Sequence, residues 1–177
     1  MKITLVRHGE TEENYQHIVQ GMKNTLLNES GRRQCLKLKA RISDKHYDYC
    51  YMSPLIRTVE TAMILIGDRV EMIPDKRLVE RTMGEYEGKS ISLYDANSYW
   101  DYDLNKSDNG VECIQDIFQR CKDFLDYIFE KNPGQDIMVV THGAPYRALR
   151  HLILNHDLDG NLMDTEINNC SIEEFEV

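Results

Sequence analysis

The chain has 177 residues, of which 41% are apolar and 29% are charged. These values describe one compact domain with a buried core and exclude a disordered or low-complexity chain. With 21 basic and 30 acidic residues the formal net charge is −9, and no basic patch is concentrated in the sequence, so nucleic acid is not an expected partner. The apolar runs are far shorter than the roughly 20 residues that cross a bilayer, so no membrane partner is expected.

Short apolar runs alternate with helical patterns along the chain. Strands are predicted at 2–6, 47–52, 70–73, 137–141 and 171–177. Helices are predicted at 29–42, 53–66, 111–130 and 144–154. In the second helix Ser53 is the predicted N-cap and Pro54 the first helical residue. The stretch 75–109 is predicted to be irregular, with one short helix around 92–100.

The cysteines and the first residues of the chain indicate a cellular compartment. Five cysteines, an odd number, are widely spread and form no Cys-x-x-Cys motif. The apolar stretch at 2–6 is too short for a signal peptide. We therefore expect free thiols and a cytoplasmic location.

The alternation of strands and helices predicts an α/β fold. We expect a single three-layer domain over 1–177, with a mostly parallel central sheet, helices on both faces, and 89–110 as a lid or insert. In open sheets of this class, ligands bind beyond the carboxyl ends of the strands. Residues that directly follow the strands are therefore the candidate site residues.

Histidines, arginines and a carboxylate follow four of the predicted strands. The first strand runs into Arg7-His8-Gly9, and the second is followed by Ser53 and, one turn later, by Arg57. The third strand precedes Glu80-Arg81, and the fourth precedes His142-Gly143. A parallel sheet brings all these groups to the same edge, which predicts one site built from distant parts of the chain.

These groups fit phosphoryl transfer without a metal ion. Arginine grips phosphate because its planar fork donates hydrogen bonds in pairs. A histidine among such cations is driven toward its neutral form, whose ring nitrogen can attack phosphorus, and a second histidine, if cationic, could stabilise the charge. A carboxyl group such as that of Glu80 could protonate the departing oxygen. Each residue taken alone also fits a structural position, so the prediction depends on their joint placement.

Four segments resemble the signature of the histidine phosphatase superfamily, which includes the cofactor-dependent phosphoglycerate mutases. They are LVRHGET at 5–11 with Asn14 and Gln20-Gly21 after it, SPLIRTVETA at 53–62, LVERTMGEYEG at 78–88, and VTHGA at 140–144. The resemblance spans nearly the whole chain in the family's order.

The resemblance implies a set of site residues. Those implied for the chemistry are His8 as the phosphorylated nucleophile, His142 as the second histidine, Glu80 as the proton donor, and Arg7 and Arg57, which hold the phosphoryl group. Those implied for substrate binding are Arg7, Asn14, Gln20, Gly21, Arg57 and Gly143. No cofactor is implied, and the other four histidines match no family position, so no metal is expected.

Some positions depart from the family pattern. Tyr86 stands where the family often has Trp, Asn24 where it often has Asp, and Gly110-Val111-Glu112-Cys113 where it often has Gly-Gly-Glu-Ser, which leaves Glu112 without an implied role. The family contains both phosphatases and mutases. The segment 89–110 holds two lysines against four aspartates and is a poor cradle for a second phosphate, which favours a phosphatase that acts on a small phosphorylated metabolite.

Two alternatives to a simple phosphatase stay open: a mutase-type phosphotransferase, and an inactive member that only binds a ligand. The aromatic residues of 89–110, which are Tyr94, Tyr99, Trp100 and Tyr102, suggest that the segment caps the site and contacts an uncharged ring of the substrate. Packing of the same aromatic side chains against the domain explains them equally well. Oligomeric state cannot be read from these patterns.

Overall fold

A computed structural model describes residues 1–163 and 166–177 and contains a five-stranded sheet. The strands are β1 (Lys2–Arg7), β2 (Tyr49–Met52), β3 (Glu71–Pro74), β4 (Asp136–Thr141) and β5 (Ile172–Glu176). Their order in the sheet is β3-β2-β4-β1-β5, and β5 alone pairs antiparallel to its neighbour. The predicted α/β fold with a mostly parallel sheet is therefore confirmed.

Helices cover both faces of the sheet. The α-helices in the described residues are α1 (Glu12–Tyr15), α2 (Glu29–Arg41), α3 (Ile56–Ile66), α4 (Ala96–Tyr99), α5 (Ile114–Lys131) and α6 (Gly143–Leu154). Short 3-10 helices lie at Gly67–Arg69, Lys76–Leu78, Gly84–Tyr86, Ile91–Leu93 and Asp108–Gly110. None of the helices in this part of the chain is long and apolar enough to span a membrane.

Two apolar clusters hold the layers together. On one face of the sheet, α5 and α6 bury side chains such as Phe124 and Leu149 against β1 and β4. On the other face, α2 and α3 bury side chains such as Leu38 and Leu65 against β2 and β4. Because the central strands β1 and β4 are covered on both sides, four of the six residues of β1 and five of the six of β4 are buried, and most of these buried residues are apolar.

The strand order places a crevice at the carboxyl ends of β1 and β4. The chain leaves β1 through α2 on one face toward β2, and it leaves β4 through α6 on the opposite face toward β5. Connections that diverge in this way separate at the end of the sheet, and ligands bind at such switch points. His8 follows β1 and His142 follows β4, so both lie at this crevice.

The start of α3 differs from the prediction. The helix begins at Ile56 and not at Ser53-Pro54, and its N-cap Leu55 has no side-chain oxygen to accept a hydrogen bond. The Asn24 side chain, from a distant loop, accepts the N–H of Ile56 at 2.7 Å instead. Tertiary contacts therefore replace the local cap, and the Ser53 hydroxyl is left for another partner.

Other boundaries also shift. The helix predicted from 111 begins at Ile114, because Val111 forms an isolated bridge to Met83. The short helix expected around 92–100 is a 3-10 turn followed by α4. Helix α1 was not predicted, although Thr11 and Asn14 form a capping box at its start.

Candidate active site

His8 lies at the floor of the crevice with its ring buried. Its Nδ1 atom is 2.7 Å from the carbonyl oxygen of Gly9, which can only accept, so Nδ1 carries the proton and Nε2 carries the lone pair. Burial, followed by the charges of Arg57 and Arg7, lowers the pKa of His8 well below its usual value. The imidazole is therefore neutral and its Nε2 atom is available as a nucleophile.

His142 is fully buried beside His8 and, unlike His8, is not among the residues that line the cavity. The two ring centroids are 5.2 Å apart, and Arg57 Nε donates to both rings, to His8 Nε2 at 3.3 Å and to His142 Nδ1 at 3.1 Å. Burial and then the charge of Arg57 lower the pKa of His142 well below its usual value. Sequence reasoning considered a cationic second histidine, but in this structure His142 is neutral, because its Nδ1 accepts a hydrogen bond from a guanidinium.

Ser53 fixes the tautomer of His142. Its hydroxyl oxygen is 2.7 Å from His142 Nε2. Because Nδ1 accepts from Arg57, the ring proton lies on Nε2 and is donated to Ser53 Oγ. The sequence analysis noted Ser53 only as a residue that follows a strand and as a helix cap, and it missed this contact.

Arg57 is buried and held by backbone carbonyl groups. Its terminal nitrogens donate to the carbonyl oxygens of Lys23 at 2.7 Å and Gly21 at 3.0 Å. Burial lowers its pKa to about 10, so the guanidinium keeps its charge at neutral pH. Gly21 has φ +52°, and a Cβ there would lie 2.0 Å from Glu87 Oε1, so this carbonyl anchor requires glycine.

Arg7 supplies a second cation at the cavity wall. One terminal nitrogen donates to the carbonyl oxygen of Ile167 at 2.5 Å. Its Nε atom is buried and has no hydrogen-bond partner in the described part of the chain. A buried donor of this kind is costly to leave unpaired, and an anion in the cavity would satisfy it.

Glu80 also lines the cavity, and its carboxyl group is bound by backbone N–H groups at the start of α6. Its Oε1 accepts the N–H groups of Arg81 at 2.9 Å and Ala144 at 3.1 Å, and its Oε2 accepts that of Gly143 at 3.0 Å. Three backbone donors fix the orientation of this carboxyl group. The Gly143 N–H was expected to bind substrate, but in this structure it binds Glu80, so the free donor predicted there is absent.

Asn14 and Gln20 also line the cavity. The amide oxygen of Asn14 accepts from Thr11 and from Asn169 Nδ2, at 3.2 Å each. The amide oxygen of Gln20 accepts from Thr25 Oγ1 at 2.7 Å. Since the oxygens are bound to protein groups, both side chains retain NH2 donors for an anion.

The cavity has a volume of about 260 Å³ and two chemically different parts. Arg7, His8 and Glu80 form a polar floor. The outer wall is mostly apolar and aromatic, and includes Ile18, Val19, Met83, Ile91, Tyr94, Trp100, Met163 and Ile167. Most of this wall was missed in the sequence, because its residues come from separate loops with no shared pattern.

The four aromatic residues of 89–110 are placed differently from one another. Tyr94 and Trp100 line the cavity, whereas Tyr99 is fully buried and Tyr102 packs edge-on against Phe118. The packing interpretation therefore holds for Tyr99 and Tyr102, and contact of Tyr94 and Trp100 with a substrate ring stays a prediction. The Trp100 ring also lies 5.5 Å from the guanidinium carbons of Arg81 and Arg147.

The remaining residues noted in the sequence lie outside the cavity. Glu112 forms an ion pair with Arg120, with a closest distance of 2.8 Å, which gives it a structural position. His17, His46, His151 and His156 are not among the lining residues. Within residues 1–163 and 166–177, no cluster of three or more His, Cys, Asp or Glu side chains could hold a metal ion.

Comparison with known proteins agrees with this geometry. Residues 3–177 match the sequence profile of the histidine phosphatase superfamily, branch 1. The chain belongs to this superfamily. The resemblance of its four motifs is thereby confirmed.

Individual members are similar over most of their length. Phosphoglycerate mutase-like protein 4 of Arabidopsis thaliana is 33% identical over 84% of this chain and 69% of its own length. Phosphoserine phosphatase 1 of Hydrogenobacter thermophilus is 32% identical over 89% of this chain and 78% of its own length. The solved structure of Bacillus stearothermophilus YhfR superposes with a TM-score of 0.89 at 28% identity, covering 99% of this chain and 91% of that one.

Proposed function

We propose that this histidine phosphatase family member is a phosphomonoesterase that hydrolyses a small phosphorylated metabolite through a phosphohistidine on His8, without a metal ion. One observation carries the proposal: Arg57 Nε donates to His8 Nε2 and His142 Nδ1 together, in a buried site. A neutral nucleophile, a second imidazole and a guanidinium thus converge on a position where a phosphoryl group fits.

The first chemical step transfers the phosphoryl group. His8 Nε2 attacks phosphorus, the bond to the ester oxygen breaks, and Glu80 gives its proton to that oxygen. A bound phosphate dianion favours the protonated form of His142, since opposite charges attract. Arg7, Arg57 and a protonated His142 balance the negative charge on the phosphoryl oxygens.

The second step transfers the phosphoryl group to water. Glu80, now ionised, takes a proton from a water molecule whose oxygen attacks phosphorus, and the bond to His8 Nε2 breaks. His8 returns to its neutral form and inorganic phosphate leaves. A mutase, by contrast, must exclude water and return the phosphoryl group to a phosphorylated molecule. The composition of the 89–110 segment, two lysines against four aspartates, supports hydrolysis; among the described residues, the cations that line the cavity besides Arg7 are Arg81 and Arg147.

The direct test is hydrolysis of p-nitrophenyl phosphate by the purified protein in excess chelator. We expect turnover with burst release of nitrophenol and no stimulation by divalent cations. Absence of turnover in every condition would favour the inactive ligand-binding alternative. Turnover that needs a divalent cation would contradict the metal-free mechanism, and isomerisation of 3-phosphoglycerate would indicate the mutase.

The apolar wall suggests the chemistry of the substrate. We propose that Trp100, with Tyr94, contacts an uncharged ring of the leaving group, such as a sugar or nucleoside. Trp100→Ala should then lower kcat/KM for a nucleoside monophosphate about tenfold, because an aromatic contact is worth roughly 0.5–1.5 kcal/mol. The value for methyl phosphate, which is too small to reach Trp100, should stay within a factor of two.

Tyr102→Ala serves as the matched control. Tyr102 lies in the same segment but packs against Phe118 and not into the cavity, so we expect lower thermal stability with unchanged substrate preference. Equal losses of kcat/KM for both substrates in Trp100→Ala would reject the contact with the leaving group.

A further inference from the structure

Two cysteines that are distant in sequence meet behind the candidate site. Cys35 is buried in α2, and Cys170 is half-buried in the segment before β5. Their sulfur atoms are 3.5 Å apart, although 135 positions separate the two residues in the chain. Both thiols are free in this structure.

The pair adjoins the backbone that carries the nucleophile. A Cβ at Gly9, the residue after His8, would lie only 2.9 Å from Cys35 Sγ, so this sulfur packs directly on the turn. On the other side, the Cys170 N–H is shared between the carbonyl oxygens of Arg7 and His8, at 3.2 Å each. Movement of either sulfur therefore acts on the segment 7–9.

The segment around Cys170 also holds cavity side chains in place. The Ile167 carbonyl accepts from the Arg7 guanidinium, and Asn169 Nδ2 donates both to the His8 carbonyl and to Asn14 Oδ1. Cys170 itself has φ +57°, the left-handed region that residues other than glycine seldom adopt. Its position is thus held by these contacts and not by local preference.

We propose that Cys35 and Cys170 form an oxidation site at which hydrogen peroxide closes a disulfide and thereby lowers the activity of the neighbouring site. The disulfide is inferred from the sulfur contact and does not depend on the proposed phosphatase function. Its effect on activity rests on the proposed phosphatase function.

The chemistry balances with peroxide as the only added reagent. A thiolate of the pair attacks one peroxide oxygen, the O–O bond breaks, and a sulfenic acid and hydroxide result. The second thiol attacks the sulfenic sulfur, the S–O bond breaks, and a second hydroxide leaves, so that both hydroxides end as water. Either thiol can donate in the contact between the two sulfurs, and a hydrogen bond from Cys170 lowers the pKa of Cys35, which increases the thiolate that the first step needs.

Closing the bond requires movement. A disulfide has an S–S length of about 2.05 Å, so the sulfurs must approach by about 1.5 Å. Cys35 belongs to α2, which packs on the sheet through Leu38, whereas Cys170 lies outside the helices and strands. We therefore expect the Cys170 segment to move and to displace Arg7 and Asn14, and a shift of about 1 Å at such groups costs on the order of 100-fold in rate.

The experiment treats the reduced protein with hydrogen peroxide, blocks remaining thiols with N-ethylmaleimide, and maps disulfides by mass spectrometry without reductant. We expect a peptide crosslinked through Cys35 and Cys170. The kcat/KM for p-nitrophenyl phosphate should fall at least tenfold and should recover with dithiothreitol. Cys35→Ala and Cys170→Ser should each keep their activity after peroxide treatment. If only one of the two variants folds well, that variant alone is sufficient for the test.

Cys113→Ser is the matched control, because Cys113 is also half-buried but precedes α5; it should respond as the wild type does. The proposal is overturned if no 35–170 crosslink forms, if the crosslink leaves activity unchanged, or if both variants lose activity as the wild type does. Should the reduced protein show no turnover, the proposed function fails separately. Calorimetric titration with inorganic phosphate then measures whether the crosslink weakens binding at least tenfold.

Discussion

Replacement of His8 by alanine is expected to abolish turnover of p-nitrophenyl phosphate and the acid-labile phosphoenzyme. The reason is that His8 lines the cavity and its Nε2 carries the lone pair, whereas His142 does not line the cavity and its Nε2 is bound to Ser53. His142 therefore cannot replace the nucleophile. Rapid alkaline quench of protein treated with radiolabelled substrate retains the label on the phosphoenzyme and measures it directly, and acid treatment of the same sample should release the label.

Glu80→Gln is the matched comparison for the loss of His8. It keeps the nucleophile, and 4-nitrophenolate needs no proton on leaving, so the phosphoenzyme should still form from p-nitrophenyl phosphate. Alkyl phosphates should be slowed far more. If His8→Ala retained a rate near that of the wild type, the role of His8 as nucleophile would be rejected.

Replacement of Arg57 by alanine should lower kcat/KM on the order of 100–1,000-fold, as removal of a preorganised charge donor does in other enzymes. The change removes the donor shared by both imidazoles and leaves the carbonyl groups of Gly21 and Lys23 without their partner. Part of the effect will therefore be a loss of stability. Thermal unfolding measured beside steady-state kinetics separates the two.

Arg57→Lys tests whether charge alone is sufficient. Lysine keeps the cation but lacks the planar fork that reaches two rings and two carbonyl groups together, so it should restore less than a tenth of the lost activity. Full rescue by lysine would show that Arg57 acts only as a point charge. No loss in Arg57→Ala would remove the arginine from the mechanism.

The residues at strand ends could be placed from the sequence, and distant loop contacts could not. His8 and His142 were found because a parallel sheet brings the ends of β1 and β4 together, and Arg57 because it follows β2 by about one helical turn. The supporting Ile167 and Asn169 contact residues about 160 positions away, and such contacts leave no local pattern.

Local signals also misled where tertiary contacts were stronger. Ser53-Pro54 has the pattern of a helix start, but the Asn24 side chain satisfies the first N–H of α3 from outside, and Ser53 binds His142. The Gly143 N–H has the position of a free anion donor at a helix start, but Glu80 binds it. In both cases a side chain from another part of the chain satisfied a group that local rules left open.

The cavity is lined by residues from β1 and the turn after it, the loop that carries Glu80, and the start of α6, which are adjacent only in the folded molecule. An unfolded chain therefore offers an oxyanion almost nothing to bind. A ligand that binds only the folded protein stabilises it by an amount that grows with the ligand concentration. When that concentration is 100 times the dissociation constant, the free energy of unfolding rises by about 2.7 kcal/mol. Because proteases cleave the unfolded chain, abundant substrate would protect the protein from proteolysis as well as fill its cavity.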